Sequence, residues 1–328
     1  MAKIKMIILI FFIILLIIIG YFFIGFSKKS QDIVWGVNFS QINAQRFDLD
    51  WPGYYLAILD DLKVKNIKLA SYWNILEPEE GKYNFDPLDW QIGEAEKRGV
   101  NLIVVIGRKT PGWPECHIPD WAVQKTKEEQ QKIILKLLEA IVKRYQNSSA
   151  IKYWQVENEP FFPFGKCLWR DDKFLKEEIK LVKSLDSSRR VIVSESGEFP
   201  TWLKASMAGD VLGITMYRKA WFEDLGLYIS YPFPPTFYSR KADLIRLLFR
   251  KEVFCVELQA EPWGPVLNFK LPLEEQKKTM TLDIFKDNIE FARKTNLKKF
   301  YLWGAEWWYW MKTKNNQPEF WEEAKKLF

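Results

Sequence analysis

The sequence predicts a (β/α)8 TIM barrel preceded by one N-terminal transmembrane helix. Three features carry that expectation: eight short apolar runs recur along the chain, amphipathic stretches separate them, and no Gly-rich phosphate turn follows an early run. Near-continuous apolar strands, as opposed to alternating ones, are buried on both faces, which is the mark of parallel strands. Eight such strands with intervening helices close most economically into a ring. A doubly wound open sheet would place GxGxxG or GxxxxGK after the first strand, where this chain has GVNFSQ.

The first element stands outside the barrel. From Met6 to Phe26 no charge interrupts the chain, and about 21 residues rising about 1.5 Å each cross a hydrocarbon core of about 30 Å. Lys3 and Lys5 precede the run and Lys28 and Lys29 follow it, so charge bias hardly sets its orientation. Gly25, Phe26 and Ser27 form a small-x-small triplet, but the run is longer than the about 7 to 15 residues of a signal core. The expectation is an uncleaved anchor over 1–29. One barrel domain over 30–328 then lies outside the cytoplasm, periplasmic or extracellular.

The strands are expected at Ile33 to Val37, Ile67 to Ala70, Leu102 to Ile106, Ile151 to Val156, Val191 to Val193, Val211 to Met216, Val253 to Leu258 and Phe300 to Trp303. The helix KEEQQKIILKLLEAIVKRY after the third carries Thr126 and Glu129 at capping-box spacing. The segment Lys219 to Ser239, WFEDLGLYISYPFPPTFYS at its centre, reads as a long lid or rim bearing aromatic subsites. No linker or low-complexity tract divides the rest.

Composition narrows the chemistry. A net charge of +6 from 48 basic and 42 acidic residues, with no long Lys/Arg run, does not indicate nucleic acid. The 16 Trp, 24 Phe and 13 Tyr exceed what a core needs, and flat aromatic faces suit sugar rings as well as packing. His117 is the single histidine. It removes multi-histidine metal sites and leaves proton transfer to carboxylates. Cys116 and Cys167 fall in loops after consecutive strands, a plausible disulfide in an oxidising compartment, whereas Cys255 inside VFCVEL reads as a buried free thiol.

The fourth strand, IKYWQV, ends in Glu157, Asn158, Glu159 and Pro160; the seventh, VFCVELQAEPW, ends in Glu257 with Glu261 beyond. Burying an ionised carboxylate without a partner costs several kcal/mol or shifts its pKa, so charges at strand ends need a reason. In an eight-stranded ring these two strands face each other. Carboxyl groups about 5 to 5.5 Å apart across the mouth would cut a glycosidic bond with retention.

These segments resemble the clan A retaining glycoside hydrolases, (β/α)8 barrels with an acid/base on strand four and a nucleophile on strand seven. Asn158-Glu159-Pro160 matches the Asn-Glu-Pro signature and Glu257 the strand-seven glutamate. SYWNILEPEEGKYNFDPLDW, RKTPGWPECHIPDW, ITMYRKAW and YLWGAEWWYW extend the likeness over nearly all of Ile33 to Trp310. The resemblance implies Glu159 as general acid/base and Glu257 as nucleophile. It also implies Asn158 on the sugar 2-hydroxyl, Tyr217 as a donor to the nucleophile and Trp303 as a platform under the reacting ring, or Trp307 or Trp308 in its place.

Glu157 reads either as a partner for a buried Lys or Arg or as a sugar contact, Glu306 and Trp263 as further sugar contacts, and His117 as a loop residue lining the cleft. The chain departs from the clan at NIKLASYW, where Lys68 stands in place of an arginine that helps position the nucleophile, and in lacking the histidines that line many such sites. The expected function is retaining hydrolysis of β-glycosidic bonds through a covalent glycosyl-enzyme, needing no metal or organic cofactor. Alternatives are a transglycosylase and a barrel that binds carbohydrate without catalysis. The expected partners are a carbohydrate substrate and, through the N-terminal helix, a membrane; sugar, linkage and oligomeric state stay open.

Overall fold

A computed structural model describes residues 2–328. Its centre is a closed ring of eight parallel strands: β1 (Val34–Phe39), β2 (Asn66–Ala70), β3 (Asn101–Ile106), β4 (Ile151–Val156), β5 (Arg190–Glu195), β6 (Val211–Met216), β9 (Val253–Gln259) and β10 (Lys299–Trp303). β1 pairs with both β2 and β10, which closes the ring. The expected runs became strands because each is apolar on consecutive residues and is covered on both sides. Ile103, Ile192, Val211, Phe254, Val256 and Tyr301 form one cluster, while the opposite strand faces join a larger cluster with the helices.

Helices follow the strands and run back along the outside, among them Asp86–Lys97, Lys127–Tyr145, Asp172–Leu185, Pro235–Phe249 and Leu282–Arg293. Local chemistry starts them. Thr126 and Glu129 form the expected capping box, and the Asp171 carboxylate accepts the amides of Lys173 and Phe174. Each helix returns the chain to the far end of the barrel, so every loop after a strand gathers at one rim.

Two findings modify the expected layout. The segment read as a lid from Lys219 to Ser239 is not a loop throughout: β7 (Lys219–Phe222) and β8 (Leu227–Ser230) form a small antiparallel hairpin, and the helix Pro235–Phe249 begins inside it. Pro at the first helical position supplies the start there. The N-terminal run is one helix, α1 (Ala2–Phe23), long and apolar enough from Lys3 to Phe23 to cross a bilayer.

Candidate active site

The rim where the parallel strands end collects the polar side chains that the apolar barrel excludes elsewhere. Glu157 and Glu159 both have left-handed backbones, φ 58° and 43°, a conformation that costs of order 1–3 kcal/mol in a non-glycine residue and persists only where surroundings enforce it. The enforcing contacts are visible. The Glu157 carboxylate accepts the amides of Arg108 at 2.8 Å and Lys109 at 2.7 Å. It reaches them across Gly107, at φ 118°, where a Cβ would lie 2.6 Å from Glu157 Oε1. Glu157 therefore ties the end of β4 to the backbone after β3. The expected alternatives were a buried Lys or Arg side chain and a sugar.

The Glu159 amide donates to Ser194 Oγ at 2.8 Å, and its carbonyl accepts Lys109 Nζ at 2.9 Å. Thr215 Oγ1, near the end of β6, donates to Glu159 Oε1 at 2.8 Å. Burial, and then the charge of Glu257, push the Glu159 carboxyl well above its ordinary value, with Lys109 opposing.

Glu257 is buried opposite. Lys68 Nζ donates to its Oε1 at 2.8 Å and Tyr217 OH to its Oε2 at 3.0 Å. Lys68 comes from β2 and is 1% exposed. Tyr217 is fixed in turn, because its amide donates to Glu198 Oε1 at 2.8 Å. Thr215 and Tyr217 are two positions apart at the end of one strand, which sets their Cα atoms about 7 Å apart. One holds Glu159 and the other Glu257.

Asn158 sits between these groups. Its Nδ2 donates to Glu115 Oε2 at 3.0 Å and its Oδ1 accepts Gln155 Nε2 at 3.1 Å. Glu115, in the loop after β3, also accepts the Gly112 amide at 3.0 Å, and burial raises its carboxyl to about 7. That loop is fastened to the one after β4 by the Cys116–Cys167 disulfide, Cα–Cα 5.3 Å, while Cys255 is free and buried, both as expected.

The aromatic expectations divide. Trp303 ends β10 at the rim, its Nε1 donating to Glu261 Oε1 at 2.8 Å, and burial pushes that carboxyl up to about 8. Trp263 packs edge-on against Tyr217 with ring centroids 4.9 Å apart, and against Phe164 at 5.6 Å. Trp307 and Trp308 are not alternatives to Trp303. They are buried on the helix Ala305–Lys314, donating to Gln276 Oε1 at 2.7 Å and to the Ala260 carbonyl at 2.7 Å.

Glu306 is buried and its Oε1 accepts the Ser40 amide at 2.6 Å, joining the last strand's loop to the first's. His117 is buried beneath Tyr72, ring centroids 4.6 Å apart, with Nε2 on the Gly112 carbonyl at 3.0 Å. It shapes the loop after β3, and burial pushes its imidazole down to about 4.

Sequence reasoning missed Glu115, Lys109, Ser194 and Thr215. The last two carry a legible signal: each is a polar residue at the C-terminal end of an apolar run, VIVSE and ITMY. Lys109 and Glu115 carry none, since they lie in a loop already rich in charge.

Known proteins share the fold and parts of the sequence. Residues 55–134 match the model of the Glyco_hydro_42 family, described as beta-galactosidase. The beta-galactosidase BgaA of Clostridium cellulovorans is 26% identical over 166 residues, 44% of this chain and 25% of that protein. A probable mannan endo-1,4-beta-mannosidase A of Aspergillus flavus is 25% identical over 202 residues, 54% of this chain and 47% of that protein. The chain thus spans about a quarter to half the length of these relatives. Among solved structures, the endo-beta-1,4-mannanase of Thermotoga petrophila superposes with a TM-score of 0.59 at 16% identity, over 84% of this chain and 68% of that one. A beta-galactosidase from the psychrophilic Marinomonas ef1 gives 0.54 at 13%, over 82% and 53%.

The closed ring of eight parallel strands is a (β/α)8 barrel, and in fold and partial sequence it is similar to these glycoside hydrolases.

Proposed function

We propose that the chain is a retaining glycoside hydrolase acting on β-linked saccharides, with Glu159 as acid/base and Glu257 as nucleophile. The observation that carries this reading is the convergence of the two carboxyls, one held by Thr215 and the other by Tyr217 from the same strand end.

In the first step the Glu257 carboxylate attacks the anomeric carbon as the protonated Glu159 gives its proton to the glycosidic oxygen. The C1–O bond breaks, the leaving group departs as an alcohol and a glycosyl ester forms on Glu257. Esterification removes the negative charge that had raised Glu159, so Glu159 loses its preference for the proton and can act as a base. It then takes a proton from water, whose oxygen attacks C1 and releases Glu257 as a carboxylate. Two inversions leave the anomeric configuration unchanged.

Asn158 would present its remaining Nδ2 hydrogen to the sugar 2-hydroxyl, and Trp303 and Trp263 would border the ring. The relatives divide between beta-galactosidases and a beta-mannanase, which supports a β-configured hexose without choosing its epimer. The same intermediate can be opened by a sugar hydroxyl, giving transglycosylation. α1 is read as an anchor, with the barrel on the extracytoplasmic side, where a Cys116–Cys167 disulfide persists.

The test is a panel of aryl β-glycosides on the full-length protein, with the anomer of the first-formed product read by NMR. Release of the β-anomer supports the reading; the α-anomer, or no turnover of any β-glycoside, contradicts it.

A further inference from the structure

Among the described residues α1 meets the barrel through its last turn alone: Lys3 through Ile19 are exposed. The Phe22 ring lies 6.1 Å from that of Phe237, and the Phe23 ring 6.1 Å from Phe233 and 5.6 Å from Phe237. Thr236 Oγ1 donates to the Phe22 carbonyl at 3.2 Å and Arg240 to that of Ile24 at 2.9 Å. All four partners lie at or just before the first turns of the helix Pro235–Phe249. That helix follows the β7–β8 hairpin at the end of β6 and runs back to the start of β9, so its first turn stands at the rim that carries Glu159 and Glu257.

The chain after α1 then descends the outside of the barrel. Ser27 Oγ bonds the Lys294 carbonyl and the Ser30 amide bonds that of Arg293 at 2.7 Å, before β1 starts at the opposite end. The seat of α1 is therefore not dictated by chain connectivity; a helix placed beside β1's start would need no descending strap.

An apolar helix that stands clear of the protein over most of its length marks the hydrocarbon, which ends where the helix meets polar backbone and barrel. Rings at that depth lie at headgroup level, where Tyr and other aromatics are favoured. Phe233 continues into Phe199, ring centroids 5.8 Å apart, and Phe199 into Tyr231 at 5.4 Å. Phe199 is 61% exposed, and Leu225 and Leu227 at the β7–β8 turn are exposed as well. An apolar patch continuous with a membrane helix is a surface for lipid.

We propose that this rim, Phe199, Tyr231, Phe233 and the Leu225–Leu227 turn, rests on the headgroup region of the bilayer that α1 crosses. The cleft then opens beside the lipid surface, within reach of saccharides displayed there. The proposal rests on the reading of α1 as an anchor, and its test separates the two.

The full chain is placed in lipid nanodiscs with a nitroxide at Phe199→Cys, at Leu225→Cys, or at Lys152→Cys, an exposed position at the far end of the barrel. The native cysteines are bridged or buried, so the introduced thiol takes the label. Collision with oxygen relative to a water-soluble nickel chelate should be roughly twofold or more higher at 199 and 225 than at 152. Retention of the chain through an alkaline carbonate wash, with labels at 199 and 225 as aqueous as that at 152, overturns the rim proposal alone. Loss of the chain in the wash overturns the anchor reading and the rim with it. Two independent rim positions keep the test decisive if one variant fails to fold.

Discussion

Lys68 Nζ lies 2.8 Å from Glu257 Oε1, and both side chains are buried. The pair joins β2 to β9 across the mouth of the barrel, so the cation comes from a strand that is not adjacent to the carboxylate it holds. Arginine is the residue the clan resemblance leads one to expect here. Lysine supplies a point charge to one oxygen and leaves the other to Tyr217, a division that a guanidinium fork would not require.

Lys68→Met removes a buried cation and strands Glu257. Breaking a buried pair by deleting one partner destabilises by about 3–5 kcal/mol. The expected outcome is a fall in Tm and a lower kcat on every substrate. Lys68→Met combined with Glu257→Gln should recover most of the lost Tm but none of the activity. Thermal denaturation followed by circular dichroism checks the first statement, steady-state kinetics the second.

Tyr217→Phe deletes the hydrogen bond to Glu257 Oε2 and keeps the ring against Trp263. A hydrogen bond to a charged group is worth about 1.5–3 kcal/mol, so kcat/KM should fall by roughly 10- to 150-fold. The Tm should fall as well, because the buried Glu257 Oε2 loses its donor, but less than in Lys68→Met, since the ring packing survives.

Glu159 is raised by burial and by the charge of Glu257, so it holds its proton at neutral pH and activity falls as pH rises through its pKa. Glu159→Gln should abolish the alkaline limb. It should slow glycosides with poor leaving groups far more than aryl glycosides with acidic phenols, which need no proton. A leaving-group series at several pH values reads both effects.

Glu115, Glu198 and Glu306 are raised to about 7 and Glu261 to about 8 from an ordinary 4.5, each chiefly by burial. A raised folded pKa means that the folded state binds the proton more tightly. The associated stability is fully present below 4.5 and is lost as pH rises through the folded values. Lys241, pushed down to about 7 by burial, acts in the opposite direction only above that pH, and His117, pushed down to about 4, opposes the decline inside the window as one group against four. The Tm should therefore decline between pH 4.5 and about 7, and Glu261→Gln should flatten the decline. A Tm that rises across this window would contradict the assignment.

Cys116 and Cys167 close 51 residues of chain between the loops after β3 and β4, a crosslink of a size that typically stabilises by about 2–4 kcal/mol. Cys116→Ala with Cys167→Ala should lower Tm and raise KM more than it lowers kcat. The loop it releases carries Glu115 and, through it, Asn158, whereas Glu257 is held from β2 and β6.

The barrel was legible because its strands are apolar on both faces, a pattern that needs no tertiary information. Glu159 and Glu257 were legible for the converse reason: charge at the end of an apolar strand has no local explanation. What escaped depends on distant contacts. The tie from Glu306 Oε1 to the Ser40 amide spans 266 positions and has no local signature. Trp307 and Trp308 lie on a helix covered on several sides, so their period reveals no face. The β7–β8 hairpin faces no core and leaves no periodic signature, and Glu115 gains its place only when Asn158 arrives from another strand end.

The most direct test of the account is covalent trapping. Full-length protein is incubated with a 2-deoxy-2-fluoro β-glycoside of the sugar it turns over and bearing an activated leaving group, then digested and mapped by mass spectrometry. The account predicts one added glycosyl group per chain, on the peptide containing Glu257 and absent from Glu257→Gln. A glycosyl group on any other residue, or inactivation with no adduct, would contradict it.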